Sequence, residues 1–99
     1  MLIGVPKEVK SHEYRVGLVP GSVRELVHHG HKVVVESGAG AEIGFDDRAY
    51  EAAGAEILMR ATDVFAAAEM IVKVKEPQPE EAAALREDQI LFTYLHLAA

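Results

Sequence analysis

Arg15 stands at the start of an apolar stretch, Val16 to Val19, where a solvated charge is out of place. A guanidinium there can take a carboxylate through two parallel hydrogen bonds. Its bland alternative is a surface role, like that of the neighbouring Lys7, Glu8, Lys10 and Glu13. Lys73 and Lys75 alternate with Val72 and Val74. A lysine in a strand buried on both faces is costly unless it is paired or stands at the strand end. Lys75 does stand at the end, before Glu76-Pro77; an edge strand with both lysines in solvent is the other reading. His96, in Tyr94-Leu95-His96-Leu97, follows an apolar run that reads as a buried strand. An imidazole with a pKa near ~6.5 gives and takes a proton near neutral pH. Packed in a core, it would instead satisfy a backbone carbonyl. Together the three residues could hold a small anionic acid beside an acid–base group.

Two other groupings carry less. Gly38-Ala39-Gly40-Ala41-Glu42-Ile43-Gly44 follows a strand and precedes a helix, as a dinucleotide loop does. Its third glycine comes one residue late for G-x-G-x-x-G, because Ile43 takes that place, so it reads as a tight turn. His28, His29 and His31 gather at a helix end, where imidazolium suits the negative dipole. Their spacing is not that of a helical zinc pair, and no residue is assigned to a metal or to a cofactor.

The elements that must position Arg15, Lys75 and His96 alternate along the chain. Strands are predicted at residues 2–5, 32–36, 55–58, 70–74 and 90–94, with a short one at 16–19. Helices are predicted near 20–29, 46–53, 62–68 and 79–86. Pro20 and Pro79 suit first helical turns, Gly30 and Gly54 suit helix stops, and Asp46 or Asp47, then Thr62 or Asp63, suit caps. This alternation predicts an α/β fold: a mainly parallel sheet with helices on both faces, Rossmann-like but incomplete, joined by right-handed crossovers. Such sheets bind ligands beyond the carboxyl ends of their strands. The polar segments there are Pro6 to Arg15, Ser37 to Gly44, Lys75 to Gln78, and His96.

Composition narrows the partners. The 99 residues are 49% hydrophobic and 26% charged, an ordinary globular balance, with a net charge of −6. An acidic chain with dispersed basic residues is a poor binder of nucleic acid. It has no cysteine, hence no disulfide framework, which suits a cytoplasmic setting. No apolar run is long enough to span a membrane and no signal peptide opens the chain. The other end is apolar through Ala99, where domains usually finish in a polar tail. It reads as a truncation that leaves an apolar edge around 90–99, so self-association is expected.

Gly4-Val5-Pro6-Lys7-Glu8, Glu13-Tyr14-Arg15-Val16 and Pro20 resemble the start of alanine dehydrogenases. The similarity continues through Glu36-Ser37-Gly38-Ala39-Gly40, Ala53-Gly54-Ala55, Val72-Lys73-Val74-Lys75-Glu76-Pro77 and Leu91-Phe92-Thr93-Tyr94-Leu95-His96-Leu97-Ala98, over the whole chain. The opening block is shared with the nucleotide-binding subunit of proton-translocating transhydrogenase. The Lys75 block combined with His96 is more specific, since transhydrogenases do not usually carry that histidine. The resemblance implies NAD-dependent interconversion of L-alanine with pyruvate and ammonium. It implies that Arg15 and Lys75 bind substrate and that His96 is the catalytic acid/base. It also implies that residues 1–99 form the N-terminal part of the substrate domain, with NAD held by a later Rossmann domain. The chain alone is then expected to be inactive and to bind no NAD, while the parent is a homo-oligomer. The alternatives are a transhydrogenase-like segment, or an assembly module without chemistry.

Overall fold

Val33-Val34-Val35 is the middle of a strand because three β-branched side chains suit a pleated, buried surface. It belongs to β2 (Lys32–Glu36), which pairs in parallel with β1 (Leu2–Val5) in the register Ile3 to Val33 and Val5 to Val35. β3 (Glu56–Leu58) adds to the far side of β2, while β4 (Met70–Lys73) and β5 (Ile90–Thr93) extend the sheet from the other side of β1. All five strands are parallel, in the order β3-β2-β1-β4-β5. This computed structural model describes residues 1–9 and 13–94.

Alternation along the strands makes two cores. Ile3, Val5, Val33 and Val35 meet Val23 of α1 (Pro20–His28) and Tyr50 of α2 (Asp47–Ala52) on one face. Val34 and Ile71 meet Val64 and Phe65 of α3 (Ala61–Ala67) on the other, with Ala84 and Leu85 at the end of α4 (Pro79–Ala84) packed alongside. Each such aliphatic or aromatic side chain contributes about 1.5–3 kcal/mol by leaving water. Gly4 lets α3 come close: a Cβ there would lie 2.7 Å from Ala68 Cβ and 2.8 Å from Val64 Cγ1.

The helix signals mostly act as expected. Pro20 and Pro79 open their helices, the Asp46 carboxylate accepts the Ala49 N–H at 3.0 Å, and Gly30 and Gly54 take positive φ after α1 and α2. α3 departs from expectation: it starts at Ala61, so Thr62 and Asp63 lie inside its first turn and no side chain caps it. Residues 16–19 are not a strand. The segment joins neither open edge of the sheet, β3 or β5. It runs instead as an arm across the sheet, burying Val16 in the core and pressing Gly17 onto β4, where a Cβ would overlap the Val72 carbonyl. The last strand is not enclosed either. β5 is an edge, with Ile90, Leu91 and Phe92 all exposed.

Candidate active site

The chain builds β1, β2 and β3 outward in one direction, then returns past β1 to place β4 on its other side. The switch point therefore falls between the carboxyl ends of β1 and β4, where open α/β sheets bind their ligands. Beyond β1 the chain continues as Pro6-Lys7-Glu8; beyond β4, as Val74-Lys75-Glu76.

Glu8 ties these two ends together. One of its oxygens accepts from Lys73 Nζ at 3.1 Å and from the Lys75 N–H at 3.1 Å, and the other accepts from the Val74 N–H at 3.0 Å. Lys73 Nζ also lies 3.1 Å from Glu81 Oε2, a charge contact whose hydrogen-bond geometry is unmet. The other Glu81 oxygen accepts the Gln78 N–H at 2.9 Å, at the start of α4. Lys73 is 1% exposed. The edge-strand reading of this lysine is thus corrected: β4 is interior, and the charge is buried because two carboxylates face it.

Arg15 and Lys75 meet one shell further out, on Glu13. Arg15 Nε and Nη2 donate to the two Glu13 oxygens, each at 3.0 Å, and the Arg15 N–H donates to Oε2 at 2.8 Å. Lys75 Nζ lies 3.9 Å from Glu13 Oε1. The Arg15 guanidinium holds the Glu13 carboxyl below the usual range, and Glu13 in turn raises Arg15. The Glu13 side chain is 4% exposed and that of Arg15 is 63% exposed, so the guanidinium covers the carboxylate and reaches outward. Beside it opens a cavity of roughly 320 Å³ lined by Arg15, Val16, Val19, Ile43, Val74 and Tyr94. Tyr94 anchors the arm above β4 by donating its hydroxyl to the Gly17 carbonyl at 2.7 Å. Tyr50 does the same from α2, donating to the Leu18 carbonyl at 2.8 Å; burial pushes its phenol up to about 12.

The glycine loop after β2 serves packing rather than phosphate. Asp47 accepts from Ser37 Oγ at 2.6 Å and from the Gly38 N–H at 2.9 Å, so an amide that might face an anion is already taken by a carboxylate. Gly40 is glycine because a Cβ would lie 2.8 Å from the Tyr50 ring. A dinucleotide fold also wants its glycines after the first strand, where this chain has Pro6-Lys7-Glu8. The loop therefore lacks the dinucleotide fingerprint. Among the described residues no three potential metal-ligating side chains come together.

His96 lies outside the described residues. Sequence reasoning brought Arg15 and Lys75 forward, and the fold does bring them together. It passed over Glu8 and Glu13, because acidic residues among basic ones look like a solvated surface, and Glu81, which stands beside Glu80 in the first turn of α4. Their signal was faint: Glu8 and Glu13 within the Lys7 to Arg15 segment, with a lysine two positions before Lys75 that needed partners.

A five-stranded parallel sheet with helices on both faces defines an open α/β domain. The sequence matches the family described as "Alanine dehydrogenase/PNT, N-terminal domain" over residues 4–99. It is 57% identical over 99 residues to "Alanine dehydrogenase" of Bacillus subtilis (strain 168), covering 100% of this chain and 26% of that protein. It is 57% identical over 98 residues to the protein of that name from Methanococcus maripaludis, covering 99% of this chain and 26% of the relative. Among solved structures, an L-alanine dehydrogenase matches with a TM-score of 0.92 at 55% identity, covering 98% of this chain and 27% of that one. A transhydrogenase from Sinorhizobium meliloti matches with a TM-score of 0.88 at 33% identity, covering 96% of this chain and 28% of that one. The chain belongs to the alanine dehydrogenase/PNT N-terminal domain family. It spans about a quarter of the length of the curated relatives it matches.

Proposed function

We propose that this chain forms the substrate-binding side of an NAD-dependent L-alanine dehydrogenase, which interconverts alanine, NAD and water with pyruvate, ammonium, NADH and a proton. The observation that carries the reading is the meeting of Arg15 and Lys75 at the switch point, beside a small, mostly aliphatic cavity. Residues 1–99 are then the N-terminal part of the substrate domain. The nucleotide then belongs to another domain of the longer protein. The same reading carries a cytoplasmic homo-oligomer, and the exposed side chains of β5 suit further protein packing there.

The share of this chain in the reaction is binding and proton handling. Arg15 fixes the substrate carboxylate through its outward N–H groups. Lys75 adds positive charge beside the carboxylate and the carbonyl oxygen. His96 takes the proton from water as it adds to the imine carbon, and returns one to nitrogen as ammonia leaves the carbinolamine. Holding the substrate in one orientation across the interdomain cleft supplies much of the remaining rate.

The test is made in the full-length protein, with alanine and pyruvate assayed in both directions. His96→Ala is expected to lower turnover by about 10²–10⁴, with NAD affinity and melting temperature retained. Arg15→Ala and Lys75→Ala are each expected to raise the KM for pyruvate roughly 10- to 100-fold. Full turnover in His96→Ala with a lowered melting temperature would make that histidine a packing residue. The structural likeness to a transhydrogenase supports a second reading, a nucleotide-binding segment that acts on no amino acid. Nucleotide binding without any alanine or pyruvate turnover in the unaltered protein would establish it.

A further inference from the structure

We propose that Glu13 is a positioning residue that makes one carboxylate clamp out of Arg15 and Lys75. The inference rests on the proposed role of those two cations. It adds the question of how two long, flexible side chains come to share one geometry. Free in solvent, each would lose about 2 kcal/mol of rotamer entropy on ordering. Here that ordering is done before any ligand arrives, by one buried side chain.

Three observations support this role. The Glu13 side chain is 4% exposed while the guanidinium it pairs with is 63% exposed, so the carboxylate is shielded from solvent where Arg15 is not. Its two oxygens engage Nε and Nη2, one edge of the guanidinium. A guanidinium has five N–H groups in a rigid fork, so the end formed by Nη1 and the outer hydrogen of Nη2 stays open for a second carboxylate. Finally, Oε1 of the same group faces Lys75 Nζ at 3.9 Å, which aims the lysine at the same spot.

The charge sum points the same way. Arg15 and Lys75 alone would present two positive charges in a small space. With Glu13 the cluster carries one net positive charge, matched to a single carboxylate. The Glu13 carboxyl is held below its usual range by Arg15, so it stays ionised at neutral pH.

The experiment is a double-mutant cycle in the full-length protein, reading kcat and KM for pyruvate separately. Glu13→Ala and Glu13→Gln are each expected to raise KM roughly tenfold or more while kcat falls less, because each charge-assisted contact that orients a cation is lost. In an Arg15→Ala background, Glu13→Gln should lose most of its effect, since its principal route of action is gone. Circular dichroism and melting temperature identify a variant that fails to fold; Glu13→Gln, nearly isosteric, is then the deciding variant. A lower KM in Glu13→Gln would overturn the proposal, since Glu13 would then compete with the substrate for Arg15. An unchanged KM in Glu13→Gln, with a raised KM in Arg15→Ala, would also overturn it while leaving the carboxylate role of Arg15 intact. An unchanged KM in Arg15→Ala would sink that role and the role of Glu13 with it.

Discussion

Lys73 and Lys75 stand two residues apart and each faces glutamate, yet they live in different physical regimes. Lys73 is closed off between Glu8 and Glu81, both nearly buried, at 3.1 Å. Lys75 lies 3.9 Å from Glu13 in a cluster whose guanidinium is open to solvent. In the inner cluster every charge is committed to another charge or to a backbone N–H of the same chain. In the outer one, N–H groups remain to be given to a ligand. The inner cluster therefore sets the shape of the switch point, and the outer one is the cluster proposed to bind. Glu8 connects them, because the N–H it accepts from Lys75 fixes the backbone from which the outer lysine departs.

Lys73→Ala offers the strongest way to break this contrast. It strands two buried carboxylates, and the loss of a buried partner costs about 3–5 kcal/mol. Denaturant unfolding should show a loss of that size. An unfolding curve like that of the unaltered protein would mean that water reaches the inner cluster. Gly17→Ala comes next. Its new methyl group would overlap the Val72 carbonyl and push the arm off β4, with a loss of about 1–3 kcal/mol typical of overpacking. The same variant should raise the KM for pyruvate, because Arg15 departs from that arm; a stability loss without a KM change would uncouple arm from site.

Lys75→Ala should produce little change in unfolding, in contrast to Lys73→Ala, since its side chain is partly solvated and its ion pair is long. A destabilisation equal to that of Lys73→Ala would erase the distinction between the clusters. The smallest expected effect is on pH dependence. The folded Glu13 carboxyl lies below the ordinary value of 4.5, so its stabilising contribution is complete above 4.5 and fades as pH falls through the folded value. Because Arg15 is mostly exposed, solvent and salt screen the pair and the contribution is slight. The melting-temperature difference between the unaltered protein and Glu13→Gln should therefore shrink toward pH 3 and in high salt. A difference that grows on acidification would reverse the sign.

The apolar pattern was enough to place five strands and four helices, since short apolar runs alternate with stretches of helical spacing along the chain. Pro20, Pro79, Gly30 and Gly54 marked their boundaries because their backbone restrictions act within a residue or two. Arg15 and Lys75 were legible as misfits, charges next to valines. The partners that explain them were not. Glu8 and Lys73 are 65 residues apart, and Glu13 and Lys75 are 62 apart, so which carboxylate meets which amine depends on the strand order and on no local preference. The same holds for residues 16–19: their composition is that of a strand, but the fold lays them against β4 instead of beside an open edge strand, which no local preference decides. Local sterics and the hydrophobic pattern are written in the chain itself; the pairing of charges and the fate of an apolar arm were decided when the sheet closed around β1.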